Sequence, residues 1–439
     1  MLLKPFTTET QRHRGNQNLN PKKNGSLLLL FLCVSVSLWW VFLLTGCGKE
    51  PFYQEQAYVF GTQVDVSIYG ADEAKARQAT VAVMHEFQRL HDMLHAWQPS
   101  ELSALNAAIA RGKSQRVSAE LAAMLQDAAR VSADSGSLFN PAIGGLIQTW
   151  GFQADDFKAV LPDEKKVAAL VKADPRMSDL VFLPSPLWGV PKAGNPHGAE
   201  APAELTQGAG ERGSVRTSAL SPNPSDVTTS HSTKPSENNG QVAGYPVNGR
   251  GELLRSRNRA VKLDLGGYAK GYALDRAKTI LGEQGIHNAL INIGGNVLAL
   301  GAHGDRPWRV GIQHPRKPGP LAILELHDGE AIGTSGDYQR YFELDGKRYC
   351  HLIDPRSGYP VQGVQAVTIL THGEQAGLSS DSASKPLFVA GAQGWLAAAQ
   401  KLQLDEALLI DAQGVVHLTA AMQKRLEFTD KSTPRKIEP

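Results

Sequence analysis

A chain of 439 residues has room for one large domain or two ordinary ones, with a sizeable core. Hydrophobic residues at 42% and charged residues at 20% suit a globular protein with a soluble body. The formal net charge of +2 supplies no basic field of the kind that nucleic acid requires.

The first predicted element is an export signal. Basic residues end at Lys22 and Lys23, an uncharged apolar run follows from Leu27 to Leu44, and Leu44-Thr45-Gly46-Cys47 closes it. A basic head, an apolar stretch and small residues before a cut describe a secretory signal over residues 1–46. Cys after Leu-Thr-Gly is similar to the lipobox of bacterial lipoproteins, in which Cys47 is acylated and becomes the new N-terminus. An uncleaved membrane anchor is the alternative, since 18 apolar residues just span a bilayer. Either way the rest of the chain is expected to be membrane-attached and to face the periplasm, at the inner or the outer membrane. Cleavage removes five basic residues and one acid, leaving 40 bases against 42 acids, so the mature charge is near −2. Cys33 and Cys47 go with this segment. Cys350 remains, so no intrachain disulfide framework exists. It reads as a small buried hydrophobe, or else as a reactive thiol.

Next, Tyr58–Tyr69 reads as a strand, alternating from Val64 on, and Ala71–Ala96 places Val83, Phe87, Leu90 and Leu94 on one helical face. A second helix is expected over Ala119–Ser132 and a Gly/Pro-rich loop over Phe139–Gly151. From about 192 to 258 Pro, Gly, Ser and Asn dominate without apolar periodicity, which reads as a disordered insertion within one domain. Beyond it a short strand (Val261, Leu263) leads to a helix at Lys270–Gln284. Strands are expected at Ala289–Ile293, Trp308–Ile312, Leu321–Leu326, Gln339–Leu344, Ala366–Leu370, Ala407–Ile410 and Val415–Leu418. Helices are expected from Asp381 and at Gln393–Leu402. Strands and helices without strict alternation indicate an α+β fold.

Several clusters can carry chemistry. Asp264-Leu-Gly-Gly267-Tyr-Ala-Lys270-Gly-Tyr lies between a strand and a helix, where glycines and helix N–H groups can approach a phosphate and Lys270 adds a point charge. A plain structural turn fits as well. Asn292-Ile-Gly-Gly-Asn296 follows a strand and is turn chemistry with exposed backbone. Thr334-Ser-Gly-Asp337-Tyr-Gln-Arg340-Tyr341 concentrates hydroxyls, an acid, a base and aromatics. Its Arg340 suits a phosphate or a buried carboxylate. His351-Leu-Ile-Asp354-Pro-Arg356-Ser-Gly-Tyr-Pro is a turn in which His351 can act as a general base or be satisfied structurally, and Asp354 and Arg356 can simply pair. Asp381 opens an apolar helix as an N-cap, or holds a metal that bridges phosphates.

Taken in this order the motifs resemble the ApbE-type FAD:protein FMN transferases. The resemblance runs from about Tyr58 to Leu418, apart from the insertion. Looser matches support it at Phe60-Gly61-Thr62, Ser100-Glu-Leu-Ser-Ala-Leu-Asn106, Phe139-Asn140-Pro141 and Trp150-Gly151-Phe152. It implies a single T-fold-like α+β domain over residues 52–428, interrupted by the insertion. The implied reaction has a Ser/Thr hydroxyl of an acceptor protein attack the FMN-side phosphorus of FAD, with AMP leaving and Mg²⁺ assisting. Phe60, Trp97, Leu138, Phe139, Asn140, Asp264, Lys270 and His351 would then lie along FAD. The carbonyl of Gly267 and the carboxylate of Asp381 would hold the metal, and Asp381, Lys270 and His351 would be catalytic. The expected acceptor is a flavoprotein subunit of a respiratory or ion-pumping membrane complex. Hydrolysis of FAD to AMP and FMN, a flavin-carrying lipoprotein and an inactive structural relative are the alternatives. One position departs from the family: four residues after Asp381, where a Thr usually helps hold the metal, stands Lys385. It can point to solvent with water in the vacant ligand place, lie against the pyrophosphate as a replacement charge, or form an exposed pair with Asp381.

Overall fold

The computed structural model describes residues 51–154, 158–183 and 251–438. The signal segment with Cys47 and positions 192–250 of the expected insertion lie outside them. Among the described residues no helix is long and apolar enough to cross a membrane.

The chain enters through β1 (Phe52–Val59) and β2 (Thr62–Tyr69), two arms of an antiparallel hairpin. The sequence pattern has one strand here. The structure folds it back at Phe60-Gly61, with φ of 56° and 69°, the left-handed pair that a tight two-residue turn requires. A phenylalanine in that conformation is no turn signal, which is why composition hides the hairpin. Helix α1 (Glu73–Leu94) is capped by Asp72, which accepts from the Lys75 N–H, and buries the predicted face of Val83, Phe87, Leu90 and Leu94. Helix α2 (Glu101–Ala110) opens on a capping box between Ser100 and Ser103. After β3 (Gln115–Val117) comes α3 (Ala119–Asp134), two residues longer than expected.

The stretch expected to be a loop, Phe139–Gly151, contains a short helix, α4 (Gly144–Thr149). Helix α5 (Glu164–Ala173) and strand β4 (Leu180–Leu183) follow. The expected insertion ends too late. Residues 252–256 form β5 (Glu252–Ser256), the middle strand of the sheet β3-β5-β4, with Leu254 fully buried. Its apolar content is a single Leu-Leu pair, too little for periodicity to register beside a Pro/Gly/Ser-rich stretch.

Beyond it lie α6 (Ala269–Glu283), β6 (Ala289–Ile293), β7 (Asn296–Leu300), β8 (Trp308–Gln313), β9 (Pro320–Leu326), β10 (Ala331–Gly336), β11 (Tyr341–Leu344) and β12 (Lys347–Cys350). Then come β13 (Val364–Thr371), α7 (Ala376–Lys401), β14 (Ala407–Asp411), β15 (Val416–Thr419), α8 (Ala420–Arg425), β16 (Leu426–Phe428) and β17 (Arg435–Glu438). A nine-stranded sheet runs β1-β2-β6-β7-β10-β13-β14-β15-β17, antiparallel throughout except for β15 beside β17. The architecture is α+β, as the sequence indicated.

The register of the strands sorts the core into layers. Val66, Ile291, Leu298 and Ala331 share one face of the sheet, where α1 and α6 cover them. On the same face α7 lies over Val367, Ile369 and Leu409. The opposite face carries Val297, Ile332 and Leu370 against the small sheet β16-β9-β8. Helix α7 is two helices joined at Gly391, whose φ of 72° breaks the helical path. The first begins at Ala376, so Asp381 lies inside it and is not its N-cap. The true cap comes from another helix: Asp275 accepts from the backbone N–H of Gly377 and Leu378 at 2.9 and 2.8 Å.

Candidate active site

The ends of several elements meet where α6 begins. The segment before α6 is not the expected strand; a single parallel bridge joins Lys262 to Ile143. Asn106 of α2 takes the role of a neighbouring strand. Its buried amide donates to the Leu263 carbonyl at 2.8 Å and accepts from the Leu263 N–H at 2.7 Å. This fixes Asp264, whose carboxylate receives the Gly266 N–H at 2.8 Å. Burial lifts the pKa of Asp264 above the usual carboxylate range, against the pull of that hydrogen bond and of Arg340, Lys270 and His95.

Asp381 stands opposite on α7. Two close approaches bury it. A Cβ on Gly271 would lie 2.5 Å from the Gly377 carbonyl oxygen, and one on Gly333 of β10 would lie 2.1 Å from the Ser380 carbonyl oxygen. Only glycine admits α7 this near to α6 and to the sheet. The Asp381 carboxylate is fully buried. It accepts from the Gly271 N–H at 3.0 Å, from the Asn296 amide at 3.2 Å and from the Lys385 ammonium, with Lys270 Nζ at 3.5 Å. Burial by itself would raise its pKa; the charges of Lys270 and Lys385 outweigh it and hold it at about 2. Burial pulls Lys385 down to about 8 despite the attraction of Asp381. The Lys385 side chain is 14% exposed and turned inward, so it neither points to solvent nor forms a surface pair.

His351 completes the group. Its Nδ1 lies 3.2 Å from the Arg340 carbonyl oxygen. A carbonyl only accepts, so Nδ1 carries the proton and Nε2 is left with its lone pair. Burial, reinforced by the charge of Arg340, lowers the imidazole pKa to about 3.

The other expected flavin contacts divide. Phe60 sits in the hairpin turn against Phe87 and His91, with centroids 6.1 and 5.9 Å away. Trp97 lies under the Lys262 ammonium at 4.6 Å. Phe139 is buried with its ring edge 3.5 Å from a Cβ placed on Gly267, and half-buried Leu138 precedes it. The Asn140 side chain is already engaged as a brace, donating to the Pro175 carbonyl and accepting from the Ala142 N–H. Arg340 donates to the carbonyls of Phe152 and Ala154, a backbone clamp in place of the phosphate or carboxylate that its charge suggested. Asp337 chelates Arg316 at 2.7 and 2.6 Å, and Asp354 pairs with Arg356. Cys350 is buried with its pKa raised to about 12 by desolvation, which makes it inert. Asn296, the Gly271 N–H, Asn106 and Asp275 are working parts for which the sequence named no role. Asn106 and Asn296 stood inside recognised motifs, and burial of an amide amid apolar neighbours was their only signal.

A divalent cation would need oxygen ligands at this spot. Both oxygens of Asp381 are occupied, one of them by an ammonium that would repel a dication. The buried Asn296 Oδ1 has no hydrogen-bond partner, but the Nδ2 of the same amide is the group turned to Asp381. Among the described residues no group of three or more His, Cys, Asp or Glu is arranged to hold a metal. As arranged, the donor set fits two ammonium groups and does not fit Mg²⁺.

What the cluster can bind is an anion. Lys270 and Lys385 face Asp381 beside a glycine turn at a helix start, an excess of positive charge suited to phosphate. Comparison with known proteins finds extensive similarity. A family model described as the ApbE family matches residues 60–196 and 205–409. A Rhodobacter capsulatus protein named FAD:protein FMN transferase is 35% identical over 390 residues, 89% of this chain; the chain spans 61% of that relative's length. A Treponema pallidum protein of the same name is 26% identical over 400 residues, covering 88% of this chain and 91% of that protein. Among solved structures, the ApbE protein of Thermotoga maritima superposes with a TM-score of 0.64 at 22% identity, over 85% of this chain and 99% of that one. The Pseudomonas stutzeri flavinyl transferase ApbE, in its apo form, gives 0.62 at 23% identity, over 86% and 98%.

Proposed function

This chain belongs to the ApbE family, and from that premise we propose that it is an FAD:protein FMN transferase. The observation that carries the proposal is the pair of lysines held by buried Asp381 beside the Gly267 turn, with the lone pair of His351 nearby. The flavin would lie among Phe60, Trp97, Leu138 and Phe139, with Asp264 receiving a hydroxyl or ring N–H. The pyrophosphate would then meet Lys270 and Lys385.

A Ser/Thr hydroxyl of the acceptor attacks the FMN-side phosphorus. The new O–P bond forms as the bridging P–O bond breaks, and the electron pair leaves on the phosphate of AMP. Little covalent work falls to the protein in such a transfer; positioning and neutralisation of charge dominate. Lys270 and Lys385 neutralise the bridging and terminal oxygens. Asp381 holds both ammonium groups in place. His351 takes the hydroxyl proton at Nε2, in the neutral form that its surroundings enforce. No step runs through Mg²⁺, which the family resemblance implies but this donor set does not accommodate.

The proposal extends to place and partner. Cys47 is acylated after removal of residues 1–46, which tethers the enzyme to a membrane on its periplasmic side. The acceptor is a flavoprotein subunit of a respiratory or ion-pumping membrane complex. The lipobox-like Leu-Thr-Gly-Cys supports the tether.

One assay tests the reaction. The full chain is incubated with FAD and a candidate acceptor, AMP release is measured, and the acceptor band is inspected for flavin fluorescence. AMP formed only with acceptor, together with a fluorescent band, is the expected result, and Asp381→Ala abolishes both. AMP released without acceptor makes the protein a hydrolase; FAD bound with no AMP under any condition makes it a carrier.

A further inference from the structure

Resting on the transferase reading, we propose that Lys385 is the resident cation of this site: its ammonium, anchored by Asp381 beside Lys270, neutralises the FAD pyrophosphate where a divalent ion would otherwise be required, so FAD binding here is independent of metal.

Three observations carry it. The first is stoichiometric. One fully buried carboxylate faces two ammonium groups, so the trio keeps one net positive charge, and Asp381 cannot cancel it. That surplus charge reaches the surface, because Lys385 and Lys270 side chains are 14% and 22% exposed while Asp381 has no exposure. The second is steric. Lys385 runs beneath the glycine turn, with its Cε 3.0 Å and its Cδ 3.4 Å from a Cβ placed on Gly267. A glycine at 267 leaves room for the stem of this lysine against the turn, and any larger residue would push it aside. The third is the completeness of its anchoring. Lys385 Nζ also donates to the Asp381 carbonyl oxygen at 2.6 Å, so carboxylate and backbone of one residue orient it. A flexible ammonium becomes a fixed point charge, and fixed charges stabilise a transferring phosphoryl group without reorganisation.

The test is FAD binding, which needs no acceptor. The full chain is titrated with FAD and separately with riboflavin, following flavin fluorescence, in EDTA and in millimolar Mg²⁺. Riboflavin lacks the pyrophosphate and reports the flavin pocket alone. The wild type should bind FAD equally well in both media. Lys385→Met should lose at least about tenfold in FAD affinity in EDTA, the worth of one charge-assisted hydrogen bond, with riboflavin binding unchanged. Lys385→Arg should keep most of the affinity. Lys385→Thr, which frees an Asp381 oxygen and adds a hydroxyl, should bind FAD well only with Mg²⁺. Wild-type FAD affinity that collapses in EDTA overturns the inference and leaves the transferase reading standing. So does Lys385→Met binding FAD as the wild type does. If the wild type binds neither FAD nor riboflavin in either medium, the flavin site itself is wrong.

Discussion

His351 shows how a residue's chemistry is set by what surrounds it. In the free enzyme burial and the nearby positive charge of Arg340 keep the imidazole neutral, with a pKa near 3. A bound pyrophosphate brings two negative charges to the same neighbours, which opposes that shift and raises the basicity of Nε2. The sign follows. With His351 neutral in the free protein, kcat/KM should be flat across about pH 5–8 on its account, while the acid limb of kcat, which reports the complex, should stand at higher pH than that of kcat/KM. His351→Gln should remove that limb of kcat. A kcat/KM profile that falls below about pH 6.5 in the wild type and not in the variant would contradict this reading. The sequence offered His351 only as a general base or a satisfied histidine, because the residue that tunes it, Arg340, is placed by a carbonyl clamp on Phe152 and Ala154 that no local pattern encodes. Lys385 is similar. Its i,i+4 spacing from Asp381 was visible, but the burial that turns a weak surface pair into a fixed charge comes from Gly271 and Gly333, both far away in sequence.

At the level of elements, periodicity found what carries its own signal. Helices α1 and α6 and strands β6, β8 and β9 lie close to where apolar spacing put them, since each packs one regular face into the core, and β13, buried on both faces, shows as a nearly continuous apolar run. Strand β10 was missed because Gly333-Thr-Ser-Gly336 has no apolar alternation. It is a strand through its antiparallel ladders to β13 and β7, and hydroxyl contacts of Thr334 with Thr368 of β13 and of Ser335 with Ser384 of α7, at 2.9 and 2.8 Å, satisfy its polar side chains. The β1–β2 hairpin was missed for the left-handed Phe60. Gly333→Ala tests how β10 seats α7. The new methyl would meet backbone, which cannot swing away, so it should cost about 1–3 kcal/mol or more and weaken FAD binding by lifting Asp381 off Asn296. Urea denaturation and a flavin titration measure the two effects. A variant as stable as the wild type would mean that the helix has slack against the sheet.

For the whole molecule, the α+β class was legible from the mix of strands and helices, whereas the pairing of a nine-stranded sheet with a three-stranded one behind it was not, because order across a sheet depends on partners distant in sequence. The ordered fold resumes at β5, before the Pro/Gly/Ser-rich composition ends, and this has a direct test. Excising 195–250 behind a short linker should leave melting and FAD binding unchanged, since that stretch lacks any apolar pattern. Extending the cut to 255 removes most of β5 and buried Leu254, and should cost about 3 kcal/mol or more. If both deletions melt alike, β5 contributes nothing to stability.

The contact between Lys385 and Asp381 also bears on the rate law. A diffusing ion must be captured at each turnover or retained by affinity, and its occupancy follows the medium. A charge built into the chain is present at an effective concentration fixed by covalent geometry, on the order of millimolar or above. Where Lys385 supplies it, the reaction has two reactants and no third binding equilibrium. Flux would then follow FAD and acceptor supply alone and be indifferent to chelators in the surroundings.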